Sequence, residues 1–547
     1  MTTTKKPKKQ KLRNAEYYDL QATFDKLYSE SKNGKTFTKI MPIILSENNI
    51  CLAYRNLKRN SGSKTAGTDH KTIKDLETWK EPDLVRYVRK RLEWYIPQPV
   101  RRVEIAKDNG KTRPLGIPTI QDRLIQQCFL QVLEPICEAK FHDRSFGFRP
   151  NRSQENAVAV AYSLMQIQHL HFVVDLDIKG FFDNVSHGKL LRQMWALGIR
   201  DKTVLSILSA MLKAEVAGIG FPEKGTPQGG IISPLLSNIV LNELDWWISS
   251  QWETMPMRKN YVRTRKDNGV AEKTNAYKVL REKSRLKECY GLRYADDFRI
   301  FCRRRQDAEK LFIATQKWLK ERLGLDISPE KSQIVNLKRK YSEFLGFKMM
   351  VKPNGKTGSK TRYTVVSHIS EKRKGKIKKR ASELVAKIKF PADKFEEHKF
   401  IMDYNSYVMG IHNYYSMATH ANQDFSEIGF SVKRTMKCRL GQRLKKSGNS
   451  LPQYVQEKYG RSKELRYIRG LFVLPISYVQ TRAPKHRPRN WCVYTPEGRA
   501  QVHKSLEKVN LSILHYLMEH PVPSESIEYN DNPVSYTHLT LPTIRLV

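Results

Sequence analysis

No run of eighteen apolar residues occurs in this chain, so no segment is long and apolar enough to cross a bilayer as a helix. No Cys-x-x-Cys pair occurs either, and the seven cysteines (51, 128, 137, 289, 302, 438 and 492) are odd in number. Neither a zinc ribbon nor a disulfide framework is indicated, and a reducing interior fits best. No apolar stretch follows the six Lys/Arg of the first thirteen residues, which argues for a flexible basic arm and against a secretory signal. Acid is scarce: 55 Asp+Glu face 98 Lys+Arg, a formal net charge of +43 over 547 residues. A surplus of that size implies a polyanionic partner, held by counterion release and therefore strongly salt-dependent. An anionic membrane surface is the competing explanation. Hydrophobic residues at 39% and charged residues at 28% suit a folded chain. Its length allows about two to four domains.

What is present centres on Gly291-Leu292-Arg293-Tyr294-Ala295-Asp296-Asp297-Phe298-Arg299-Ile300-Phe301. Apolar residues on either side of a tight turn predict two short strands, and the turn carries adjacent aspartates. Two ionised carboxylates side by side repel and raise each other's pKa. Hard divalent cations such as Mg²⁺ remove that cost, because they accept carboxylate oxygens and keep sites for phosphates. Alone, an Asp-Asp pair reads as a solvated turn. A second acidic element reverses that preference: His171-Phe172-Val173-Val174-Asp175-Leu176-Asp177-Ile178-Lys179-Gly180-Phe181-Phe182-Asp183. Side chains alternate along a strand, so Phe172, Val174, Leu176 and Ile178 share one face and Asp175 and Asp177 the other. An apolar strand ending in an acidic face is what a metal cleft at a sheet edge requires. Asp183 reads more simply as the cap of the next helix.

The third element is Gly225-Thr226-Pro227-Gln228-Gly229-Gly230-Ile231-Ile232-Ser233-Pro234. Its glycines permit close backbone approach, and Ser233-Pro234 is a good helix start with Pro at the first helical position. The loop lacks the Lys-Ser/Thr ending of a P-loop. Upstream, Asn109-Gly110 between two short apolar runs signals a hairpin over 103–118. Lys107 and Arg113 flank that turn, where they either reach a triphosphate or serve as ordinary surface cations. Helices are predicted across 15–95, interrupted at Asn60-Ser61-Gly62-Ser63, and across 120–140, where Leu124, Cys128, Val132 and Ile136 recur every four residues. Residues 253–290 suit a surface insertion, and 306–323 an amphipathic helix.

Near residue 365 the composition shifts. Residues 371–380 hold seven cations (Lys372, Arg373, Lys374, Lys376, Lys378, Lys379 and Arg380) against one acid. Usually such a run is a solvated face. Followed by Tyr404, Tyr407, His412, Tyr414 and Tyr415, it favours a helical RNA-binding module in which cations track phosphates and aromatics stack on unpaired bases. The tyrosines read equally well as core. Lys485, Arg487 and Arg489 near Trp491 continue the basic character.

In this order the elements resemble a reverse transcriptase, specifically the multifunctional proteins encoded by group II introns. The likeness covers roughly residues 60–520. It rests on Arg113-Pro114-Leu115-Gly116-Ile117-Pro118, Asp177-Ile178-Lys179-Gly180-Phe181-Phe182-Asp183, the Gly-Thr-Pro-Gln-Gly-Gly loop and Tyr294-Ala295-Asp296-Asp297. Ile411-His412-Asn413-Tyr414-Tyr415 looks like the maturase region of that family. The resemblance implies an α+β right-hand fold with fingers, a ferredoxin-like palm and a helical thumb. The implied layout is a basic arm and helical extension (1–60), fingers and palm (61–355), thumb/maturase (356–450), a basic nucleic-acid-binding region (451–525) and a tail (526–547). Carried over by motif, Asp177, Asp296 and Asp297, with the backbone carbonyl of Ile178, hold two Mg²⁺ ions. Phe182 gates against the ribose 2′-hydroxyl, and Gln228 sits against template and incoming base. Lys107 and Arg113 clamp the triphosphate, and Lys331 donates a proton to pyrophosphate. Implied partners are group II intron RNA, a DNA target or primer and dNTPs, with no membrane and room for a homodimer. The implied location is the bacterial cytoplasm, within a nucleoprotein.

The likeness breaks down at the C-terminus. Many relatives continue into a His-Asn-His endonuclease, which Ile527-Glu528-Tyr529-Asn530-Asp531-Asn532 approaches, yet no metal ligands follow. From about Val534 the sequence resembles translated sequencing-adapter read-through, so the authentic C-terminus is expected to be missing and no DNA cleavage is expected. Two alternatives stand beside the leading expectation. One is a retron or phage-defence reverse transcriptase, against which the basic 365–520 segment speaks. The other is a catalytically idle RNA-binding splicing factor, which needs no clustered carboxylates.

Overall fold

Buried apolar residues spaced three and four apart among charged ones (Phe24 and Leu27; Ile50, Ala53 and Leu57; Leu84, Val88 and Leu92) make the N-terminal part helical, in Gln21–Lys32, Glu47–Lys58 and Glu81–Glu93 among others. The Asn60 side chain accepts from the Gly62 amide and starts a single 3-10 turn, Ser61–Lys64, where the interruption is expected. The computed structural model describes residues 15–106, 112–227, 229–265, 271–488 and 490–507. Lys107, the Asp108-Asn109-Gly110 turn, Gln228, Arg489, the basic arm before residue 15 and everything from residue 508 onward lie outside the described residues.

The chain divides into two compact units. The first comprises Met1–Arg152, Leu170–Val335 and Cys492–Thr495; the second comprises Ser153–His169, Asn336–Trp491 and Pro496–Val547.

At the centre of the first unit is a four-stranded sheet in the order Cys289–Tyr294, Asp297–Cys302, Phe172–Leu176, Gln333–Asn336. Cys289–Tyr294 and Phe172–Leu176 both run antiparallel to Asp297–Cys302. Helices Ser233–Ser250 and Arg305–Trp318 pack on it, with Trp247 stacked on Trp318 at 5.4 Å. Val173, Val174 and Leu176 are all buried, so both faces of their strand are covered. Asp175 is buried with them rather than lining an open acidic face. Helix Ile120–Glu138 buries the expected Leu124, Cys128, Val132 and Ile136, and the Thr119 hydroxyl accepts from the Asp122 amide at its start. Strands Arg101–Ala106 and Thr112–Ile117 pair as the expected hairpin.

Two local expectations need correction. Asp183 does not cap the next helix: it lies inside the single turn Phe181–Asn184, and Ser186 caps His187–Leu197. In the helix after the Gly-rich loop, Ser233 is the first residue and Pro234 the second, still within the turn where a missing N–H costs nothing.

The second unit is not purely helical. Strands Ser342–Phe344, Phe347–Thr357 and Lys360–Ile369 form an antiparallel sheet. Around it stand Gln154–Gln166, Glu371–Lys389, Lys394–Tyr415 and Ala421–Leu440. Tyr404, His412, Tyr414 and Tyr415 are buried core, so none offers a face to a base. Both ring nitrogens of His412 are engaged, with the Tyr459 hydroxyl at 3.0 Å and the Ile476 carbonyl at 2.9 Å. The Tyr414 hydroxyl donates to the Leu345 carbonyl at 2.8 Å. All seven cysteines are free thiols.

Candidate active site and basic helix

The Asp-Asp turn is as tight as its sequence predicts. Tyr294 pairs with Asp297, leaving Ala295 and Asp296 as the two turn residues, and Ala295 sits at φ +57°. A non-glycine residue there is strained, and surrounding bonds must hold it. Arg293, buried beneath the turn, donates to the Ala295 carbonyl (2.7 Å), to Asn238 Oδ1 (2.9 Å) and to Asp245 (2.7–3.0 Å). Asn238 in turn donates to the Gly147 carbonyl at 2.9 Å. Gly147 has no room for a side chain, since a Cβ would lie 2.2 Å from the Ala295 nitrogen. Sequence reasoning missed this support. Residues 144–146 run beside Arg293 through amide–carbonyl bonds of 2.9 and 3.0 Å. The available signal was an arginine in an otherwise apolar strand, which must find a buried acid somewhere.

Strand register does the rest. Phe172 pairs with Cys302 and, at the end of the ladder, Leu176 pairs with Phe298, so Asp177 follows that last pair on one strand and Asp297 precedes it on the other. Facing carboxylates destabilise a sheet unless cations intervene. Lys331 supplies one, 3.1 Å from Asp177 Oδ2, and Arg299 supplies another, 2.5 Å from Asp297 Oδ1 and 2.7 Å from Asp175 Oδ1. Close packing pushes the Asp297 pKa up to about 6; Arg299 opposes the rise, while Asp175 and Asp296 add to it. Beyond the strand end, Ile178 bridges Ile327, with the Ser328 amide donating to the Asp177 carbonyl (2.7 Å) and the Lys179 amide to the Asp326 carbonyl (2.9 Å).

Hard oxygen donors in a patch whose charges are imperfectly balanced fit a divalent cation. Among the described residues, no three His, Cys, Asp or Glu side chains already converge on one point. Asp177 and Asp297 are instead drawn toward Lys331 and Arg299.

The Gly-rich loop joins the other motifs to this patch. Its Thr226 amide donates to the Phe182 carbonyl and its Gly225 amide to the Val185 carbonyl, both at 2.7 Å. Gly229, at φ +118°, abuts the 112–117 strand so closely that a Cβ would lie 2.4 Å from the Gly116 oxygen. Phe182 is half-buried, its ring edge-on to Phe181 at 5.2 Å. Thus Asp177, Ile178, Phe182, Asp296, Asp297 and Lys331 belong to one neighbourhood of the first unit. The backbone of Arg113 lies in the 112–117 strand opposite Ile105, and its side chain lies outside the described residues.

In the second unit, the seven cations fall on helix Glu371–Lys389 but are not equivalent. Lys374 is buried and faces Glu371 (3.0 Å), Glu427 (2.8 Å) and Asp424 (3.5 Å), so it is a structural cation and not a phosphate contact. Lys378 also pairs with Glu427 (2.8 Å), and Arg380 with Glu383 (3.2 Å). Lys372 and Lys379 are exposed, while Arg373 and Lys376 are half-exposed.

Comparison with known proteins agrees with this geometry. The family model described as reverse transcriptase (RNA-dependent DNA polymerase) matches residues 105–349, which include the acidic hairpin, the 172–176 strand and the Gly-rich loop. Fold and site together define a reverse transcriptase, a class that uses divalent metal ions. The group II intron-encoded protein LtrA of Lactococcus lactis subsp. cremoris is 29% identical, over 72% of this chain and 73% of its own. Protein YkfC of Escherichia coli (strain K12) is 34% identical, over 47% of this chain and 68% of its own. Nuclear intron maturase 2, mitochondrial, of Arabidopsis thaliana is 25% identical, over 29% of this chain and 28% of its own. The chain belongs to the reverse transcriptases and maturases encoded by group II introns. Its activity is RNA-directed DNA polymerisation, in the service of group II intron splicing and mobility.

Proposed function

We propose that this chain copies intron RNA into cDNA by nucleotidyl transfer at the acidic hairpin, with Asp177, Asp296, Asp297 and the Ile178 carbonyl holding two Mg²⁺ ions. When bound, such ions activate the primer 3′-hydroxyl and neutralise the nucleotide's phosphates and leaving group. The chain's own residues do the rest. Phe182 excludes a ribose 2′-hydroxyl by collision, Lys107 and Arg113 hold the triphosphate, and Gln228 backs the templating base. Lys331, already beside Asp177, gives its proton to the departing pyrophosphate. The first unit serves as fingers and ferredoxin-like palm and the second as thumb and maturase, its basic helix gripping intron RNA.

The observation that supports this reading is the register, in which the strand that begins at Asp297 pairs with Phe172–Leu176, the strand that runs directly into Asp177, 119 residues before Asp296 in the chain (296 minus 177). Asp296→Ala and Asp177→Ala are each expected to abolish Mg²⁺-dependent primer extension on an RNA template, a loss on the order of several kcal/mol in transition-state stabilisation. Near-normal extension by both variants would remove the assignment.

A further inference from the structure

One residue on the acidic face belongs to none of the polymerase motifs. Arg299 lies directly across from Asp175 in the strand register and two residues beyond Asp297 on the same strand face. Asp175 pairs with Arg299, while Asp177 and Asp297 lie at the adjoining ends of the same two strands, so three carboxylates and one guanidinium share one corner of the sheet. Arg299 is tied down on every side. It reaches Asp175 Oδ1 at 2.7 Å, Asp297 Oδ1 at 2.5 Å and the Phe298 carbonyl at 2.9 Å, with only 12% of its side chain exposed. Lys331, on the other side of the cluster, is 66% exposed and free to exchange partners. A guanidinium is a rigid, permanently charged fork, able to hold two carboxylates at fixed angles as a flexible ammonium cannot. Here Nε reaches buried Asp175 while Nη1 donates to Oδ1 of Asp297.

We propose that Arg299, anchored by Asp175, is a positioning residue for nucleotidyl transfer: it fixes the Asp297 carboxylate so that Oδ2 is presented to a divalent cation. The inference rests on the reading that Asp177, Asp296 and Asp297 hold such ions. Two physical effects predict opposite results. As a charge, Arg299 competes with a cation, and removing it tightens cation binding. As a positioning group, it supports the ligand, and removing it weakens binding.

Mn²⁺ binding to the full chain without nucleic acid, followed by electron paramagnetic resonance, separates the two. Three variants serve: Arg299→Met, Arg299→Lys and Asp175→Leu/Arg299→Met. The double variant guards against misfolding, because replacing a buried ion pair by apolar groups is often neutral for stability. All three are expected to bind Mn²⁺ about ten- to a hundredfold more weakly, the usual effect of losing a group that orients a metal ligand. At saturating Mn²⁺, kcat for single-nucleotide addition should fall while primer–template affinity holds. Equal or tighter Mn²⁺ binding by a double variant that melts like the wild type would overturn the proposal, and so would full rescue by Arg299→Lys. Asp296→Ala is the control. If it binds Mn²⁺ normally, the underlying metal assignment fails; if it does not while the Arg299 variants do, only the role of Arg299 falls.

Discussion

At the scale of single residues, the raised pKa of Asp297 offers a pH test of the proposed metal site. Its folded pKa of about 6 stands above the ordinary 3.8, so the protonated form is favoured in the fold. Whatever stability this adds is fully present below about 3.8 and is lost as pH rises through about 6. A bound cation favours the ionised form instead. Mn²⁺ binding should therefore expel a proton near pH 6 and almost none near pH 8, and Asp297→Asn should remove the difference. Calorimetry in buffers of different ionisation enthalpy measures this; equal proton release at both pH values would take Asp297 out of the site. The gate proposed for Phe182 concerns a different choice. If its ring gates the sugar, Phe182→Ala should admit ribonucleotides with little loss of deoxynucleotide use, because collision discriminates without touching the metal ligands. The ratio of kcat/KM for a matched dNTP and NTP is the test, and an unchanged ratio would make Phe182 packing alone.

At the scale of elements, the site depends on backbones that touch. Gly147→Ala would drive a methyl into the Ala295 nitrogen, and Gly229→Ala would drive one into the Gly116 carbonyl while straining a left-handed backbone. Each should cost primer extension heavily while leaving the melting midpoint of the second unit in place. Differential scanning calorimetry beside an extension assay checks both, and unimpaired extension would show the contacts to be slack. Chain-local features were legible: the acidic turn, the hairpin over 101–117 and the helix over 120–138 each declare themselves within a few residues. What was illegible depends on distance or on a misleading neighbourhood. Arg293 finds Asp245 across 48 residues, a pairing that no window contains. The alternation of the 347–357 strand dissolves into Lys352-Pro353-Asn354-Gly355-Lys356, which reads as a loop. Tyr404, Val408, Ile411 and Tyr415 recur at spacings of four, three and four, a core stripe obscured by the basic run before it. Lys374 lies in a comparable stripe with Ile377, Ala381 and Leu384, which is why it is buried and its neighbours are not.

At the scale of the whole molecule, a net charge of +43 must be divided between cations that fold the protein and cations that meet a partner. Neutralising Lys372, Arg373, Lys376 and Lys379 should weaken binding to structured intron RNA. Each lost phosphate contact should lower the slope of log affinity against log salt by about one unit or less. Lys374→Gln should act differently, costing roughly 1.5–3 kcal/mol of stability, the scale of hydrogen bonds to charged groups. Filter binding across a salt series, on intron RNA and on a generic primer–template, is the measurement. Equal losses on the two substrates would make the helix a plain duplex grip. Chain order imposes one more consequence on the molecule. The second unit takes its Gln154–Gln166 helix from between two segments of the first, and the first recovers Cys492–Thr495 from between two segments of the second. On the ribosome, neither half can close when its main segment emerges: the helix waits some 170 residues for its sheet (336 minus 166), and Glu134 waits for the hydroxyl of Tyr494. Cutting the gene anywhere between residues 170 and 335 therefore leaves two fragments, neither of which holds all the segments of either unit.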